Sequence, residues 1–118
     1  MDISFSTTKL EKVMSCEKTI VQVYGPLQAK IINRRIFALK NSPTLVDFWP
    51  PYTPPHRCHE LTVGVRRGQL SIDLKHPYRL IFVPNHDPLP MLASGGLNWA
   101  GVTSITIIGV EDTHDGRN

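Results

Sequence analysis

Two imidazoles and a guanidinium stand out in the second half of this chain: His59, Arg79 and His114. Metal-free cleavage of RNA uses such a set. One imidazole takes the proton from a ribose 2′-hydroxyl, and the other gives one to the departing 5′-oxygen. Both groups titrate near neutral pH, and a cation offsets the negative charge that builds on phosphorus. Around them, the stretch from Arg57 to Phe82 carries Arg57, Arg66, Arg67, Lys75 and Arg79 against only Glu60 and Asp73. Arg66 or Arg67 would grip neighbouring phosphates, and Arg57 and Lys75 extend the candidate RNA-binding set.

Each of these residues also has a plainer reading. Strict alternation gives His59 the same strand face as Leu61 and Val63, which suits a buried, hydrogen-bonded histidine; a bulge at the strand's start would free it. Arg79 lies within an apolar strand, where an unpaired charge is costly. It either meets Asp73 or Asp112 inside the protein or opens onto a free sheet face. His56, His76 and His86 sit beside prolines or in loops and receive no role. Cys58 adjoins His59, but no second Cys/His pair follows at ligand spacing. Neither a metal nor a cofactor is therefore expected.

These side chains need a scaffold, and the apolar pattern supplies one. Residues 2–6 alternate as a short edge strand does. Residues 7–15 predict a short helix, with Thr7 or Thr8 as cap and Glu11 three residues after Thr8. Residues 24–43 predict the clearest helix: Pro26 suits the first turn, Leu27, Ile31, Ile32, Ile36 and Leu39 recur at helical spacing, and Asn41 and Pro43 end it. Lys30, Arg34 and Arg35 face elsewhere. Residues 44–56 hold one further helical turn and then a stiff, proline-rich connector. Strands follow at 59–63, 69–74, 78–83 and 103–112. Gly68 supplies a positive φ in a turn at 66–68, and the short link at 75–77 implies antiparallel neighbours. Residues 84–101 form a long loop, which Trp99 is expected to pack down.

The expected architecture is α+β: one domain over 1–118, with two N-terminal helices packed on one face of a mainly antiparallel four- to five-stranded sheet. The other face is left free to bind. A chain of 118 residues can bury a core without staples. No apolar run approaches the ~20 residues of a membrane span. Two cysteines and the lack of a signal-peptide pattern argue against a secreted disulfide scaffold and for a cytoplasmic protein. The net charge of +3 favours an anionic partner.

Taken in order, "RCHEL", "GVRRGQLSIDL", "PYRLIFVP" and "ITIIGVEDTH" resemble the toxins of the RelE/ParE superfamily, in the HigB or "killer protein" branch. That branch has a His-x-Leu strand, a Gly-x-Arg-x-Gly turn, a Ser-Ile-x-hydrophobic strand, an aromatic-Arg-hydrophobic-Phe strand and a closing Asp-Tyr-His. The likeness extends upstream through "KLEKVMS" and "VYGPLQAKIINRRIFALKNSPTLVDF". It implies a RelE-like fold and a helix-turn-helix, HigA-like antitoxin encoded alongside that silences the toxin. Operator DNA would be reached only through that antitoxin. It also implies metal-independent mRNA cleavage on the ribosome, with inhibition of translation and growth. Carried over by position, the active residues are His59, Arg66, Arg79, Asp112 and His114 on the concave sheet face, with His59 exposed. The sequence departs from the branch at Thr113, where the branch has tyrosine; threonine offers no ring for stacking a base. Two alternatives stay open: a non-enzymatic, ParE-like inhibitor of gyrase, which needs no acid–base pair, and a degenerate member acting only in an antitoxin–operator complex.

Overall fold

Alternation in some segments of the second half, and runs of β-branched and apolar residues in others, produce four antiparallel neighbours in one sheet. The computed structural model describes residues 1–112. Its strands are β1 (Asp2–Phe5), β2 (His59–Glu60), β3 (Leu70–Asp73), β4 (Tyr78–Pro84) and β5 (Ser104–Asp112), in the spatial order β1-β5-β4-β3-β2. β1 and β2 are the edge strands; β1 runs parallel to β5, and every other pairing is antiparallel. The molecule is thus α+β with a five-stranded, mainly antiparallel sheet.

Three helices precede β2, not two: α1 (Thr8–Met14), α2 (Glu17–Tyr24) and α3 (Pro26–Asn41). α2 was hidden because Thr19, Ile20, Val21 and Val23 are β-branched and carry weak helix propensity. Tertiary packing overrides that preference by burying Ile20 in the core. Thr7 caps α1, its Oγ1 accepting from the Leu10 N–H at 3.1 Å. In α3, Pro26 stands in the first turn as expected, but the inward side is Gln28, Ala29, Ile32 and Leu39. Leu27 instead faces solvent at 52% exposure.

The helices cover one face of the sheet. Ile20, Ala29, Ile32 and Leu39 pack in one cluster with Leu70, Ile72, Leu80, Phe82, Ile105 and Ile107. Burying each of these Ile, Leu and Phe side chains is worth about 1.5–3 kcal/mol. Buried Gln28 ties the sheet to α3: its Oε1 accepts from the Lys75 N–H at 2.9 Å, and its Nε2 donates to the Lys75 carbonyl at 3.4 Å.

The connections differ from the sequence reading in one place. β2 is only two residues long, and the return to β3 runs through a 3₁₀ turn at Gly64–Arg66. Gly68 adopts the left-handed φ of +91° that the turn requires. The long loop ends in a 3₁₀ turn at Trp99–Gly101. Trp99 is buried, as expected, meeting Trp49 edge-on at 5.1 Å and donating its Nε1–H to Glu60 Oε2 at 3.3 Å. Among the described residues no helix is long and apolar enough to cross a membrane.

Candidate functional site

Since Leu70, Ile72, Leu80 and Phe82 face the helices, their alternating neighbours face the other way. The register sets those neighbours in rows across the sheet. One row is Asp73, Arg79 and Glu111; the next is His59, Ser71, Ile81 and Gly109. His59 and Arg79 therefore stand in adjacent rows of the helix-free face.

Asp73 organises the first row. Its Oδ1 accepts from Arg79 Nε and its Oδ2 from Arg57 Nη1, both at 3.1 Å. The two options open to Arg79 from the sequence are combined: it lies on the helix-free face and pairs there with Asp73, at 16% side-chain exposure. Arg66, from the 3₁₀ turn, reaches across the face to pair with Glu111. Three guanidiniums thus meet two carboxylates.

The structure does not gather the whole predicted set. Asp112 pairs in register with Tyr78, on the face opposite Arg79. Ile105 and Ile107 point to the helices, so unbroken alternation would have sent Glu111 inward and Asp112 outward. An irregularity opposite Ile81/Phe82 inserts an extra residue in β5 and exchanges the two. Arg67 is exposed and lines a separate groove with Leu61, Leu89, Met91 and Leu97. Lys75 sits in the β3–β4 turn against the α2–α3 junction, beside Tyr24 and Pro26. His114 lies outside the described residues, as does Thr113.

His59 is on the sheet face its chemistry needs, but it is not exposed: only 6% of it reaches solvent. Its Nδ1 lies 2.9 Å from the Arg57 carbonyl and its Nε2 3.4 Å from Ser71 Oγ. A carbonyl only accepts, so Nδ1 carries the proton and Nε2 holds the lone pair that the Ser71 hydroxyl addresses. Burial lowers the His59 pKa. The positive charges of Arg79 and Arg57 push the same way, while the Arg57 carbonyl bond and Asp73 partly oppose. The surroundings of His59 therefore favour the neutral imidazole.

Tyr52 lies over one face of His59, whose row neighbours Ser71 and Ile81 are buried as well. The Tyr52 ring stacks on His59 with centroids 4.1 Å apart and planes 19° from parallel, and the Arg57 guanidinium carbon lies 5.1 Å from the Tyr52 ring centre. Tyr52 and Arg57 are the two described non-glycine residues with positive φ, +67° and +48°. Such backbone costs about 1–3 kcal/mol per residue and collects at functional sites. Two backbone bonds hold the pair: Tyr52 N–H to the Cys58 carbonyl at 3.1 Å, and Arg57 N–H to the Thr53 carbonyl at 2.8 Å.

Sequence reasoning missed Tyr52, Ser71 and Glu111 as members of this cluster. Ser71 had a signal, since it alternates with Asp73 on the free face. Glu111 was masked by the bulge, and Tyr52 by its place in a connector. Among the described residues no three His, Cys, Asp or Glu side chains converge as a metal site would require. Comparison of the chain with protein-family models, curated proteins and solved structures finds no match.

Proposed function

We propose that this chain is a RelE-like toxin of the HigB branch, a metal-independent endoribonuclease that cuts mRNA on the ribosome and so arrests translation and growth. The observation that carries this reading is the adjacency of a neutral His59 and the Arg79–Asp73–Arg57 cluster on a sheet face that no helix covers. The ordered motifs quoted above support the family.

In this reading the arginines hold the phosphate and the Nε2 lone pair of His59 takes the 2′-hydroxyl proton. The 2′-oxygen attacks phosphorus, the P–O5′ bond breaks, and a cyclic phosphate forms. His114, which the family likeness singles out, would return a proton to the leaving 5′-oxygen. Arg79 offsets the charge on the pentavalent centre. The partners would be the ribosome with its mRNA and a helix-turn-helix antitoxin, all in the cytoplasm.

The burial of His59 favours one other reading: a non-enzymatic binder of the ParE type, which has no use for an imidazole. Inducing the chain in a bacterial host separates the two. Cleavage predicts new mRNA 5′ ends within open reading frames during growth arrest. Arrest with intact transcripts and altered plasmid supercoiling would replace it with the gyrase reading.

A further inference from the structure

His59 is buried on the face of the sheet that the helices leave bare, and the stacked ring of Tyr52 covers one face of it. Tyr52 as a residue is 52% exposed, so solvent lies beside it. The Tyr52 backbone is fixed by its bond to the Cys58 carbonyl, while a half-exposed side chain changes rotamer in nanoseconds or less. Cover and backbone are thus separable: the ring can leave without the chain moving.

What the ring occupies has a recognisable chemistry. Single-stranded nucleic acids are held by planar rings that stack on bases, histidine included, together with arginines that take the phosphates. Here a near-parallel ring lies on an imidazole, with Arg57 beside it and Asp73 holding Arg57 next to Arg79.

We propose that the space filled by the Tyr52 ring is a nucleobase subsite, and that Tyr52 is a plug which a base of single-stranded RNA displaces to stack on His59. The proposal rests on the RNA reading above and adds the element that seats the substrate. Stacking uses the face of the imidazole; its Nε2 edge is addressed by the buried Ser71 hydroxyl and must give up that contact to meet the 2′-hydroxyl. A nucleotide so placed has its phosphate on the Arg57–Arg79 side. The plug also keeps the imidazole out of reach of other reactants until a base arrives.

The test uses the full chain, its Tyr52→Gly and Tyr52→Phe variants, and a short single-stranded RNA with 2′-O-methyl sugars and one 2-aminopurine. Glycine takes a φ of +67° without strain, so the variant keeps the backbone; circular dichroism checks this. Acylation of His59 by diethylpyrocarbonate, followed by mass spectrometry, should be about tenfold faster in Tyr52→Gly, as loss of one aromatic pair allows. Tyr52→Phe should match the parent. The RNA should protect His59 in Tyr52→Gly, quench its own 2-aminopurine, and bind that variant more tightly than the parent. In the parent, the same RNA should shift the Tyr52 ring resonances, a readout that needs no variant to fold. An unchanged acylation rate in Tyr52→Gly, or weaker RNA binding by it, would overturn the plug. If the parent cleaves mRNA while that rate stays unchanged, the plug falls alone. If His59 opens but the RNA neither protects it nor is quenched, the subsite falls, and cleavage of mRNA by the parent on the ribosome decides separately whether the RNA reading stands.

Discussion

Replacing Asp73 with asparagine keeps the shape of the side chain and removes the charge on which two arginines converge. The Arg79 contact is shielded, with 16% and 22% of the two side chains exposed. A hydrogen bond to a charged group in such a place contributes about 1.5–3 kcal/mol. Arg57 is 42% exposed, and solvent screening reduces its contribution to about 0.2–1 kcal/mol. Asp73→Asn should therefore destabilise the fold by about 2–4 kcal/mol. With a urea m-value of about 2 kcal/mol/M, the unfolding midpoint should drop by roughly 1–2 M with little change in slope. Double-mutant cycles should give Asp73 a larger coupling to Arg79 than to Arg57. A loss below about 0.5 kcal/mol, or the reverse order of couplings, would refute the view of Asp73 as the carboxylate that organises this face.

Two further outcomes follow from burial. His59 and His56 both have pKa values held below the ordinary 6.5, chiefly by desolvation. The unfolded chain then binds protons first as the solution acidifies. Stability should be full above pH 6.5 and fall as pH drops through 6.5 toward the lower folded-state values. His59→Gln should flatten part of that fall in urea midpoints, and a pH-independent midpoint between about 7.5 and 5 would contradict it. Cys58 is fully buried, with its pKa pushed up to about 12 by desolvation and then by Glu60, whereas Cys16 is exposed. Ellman's reagent at mildly alkaline pH should titrate one thiol in the native protein and a second only in denaturant; two fast thiols would sink this assignment.

Much of the fold was legible because the strand signals here are strong. The segment around Ile72 alternates, those around Leu80 and Ile107 are runs of β-branched and apolar residues, and each became a strand with those residues inward. α3 was legible from its apolar spacing and Pro26, although its inward face is rotated to seat Gln28 and expose Leu27. α2 was not, because its β-branched residues are helical only through contacts distant in sequence. At the site, the pairing of Arg79 with Asp73 was one of the options the sequence offered. The exchange of Asp112 for Glu111 was beyond it, since a single extra residue in β5 reverses every side chain after it. The cover over His59 was hidden for a similar reason: two residues with left-handed backbone fold a connector back onto the sheet.

Incubating the purified chain with ribosomes carrying a defined mRNA, and mapping the 5′ ends of the products, is the most direct test that His59 and Arg79 form a cleavage centre. New ends should appear with the parent chain. They should fall by at least about a hundredfold in His59→Ala and Arg79→Ala, with both variants folded by circular dichroism. Equal cleavage by the folded variants, or an intact message with the parent chain, would contradict it.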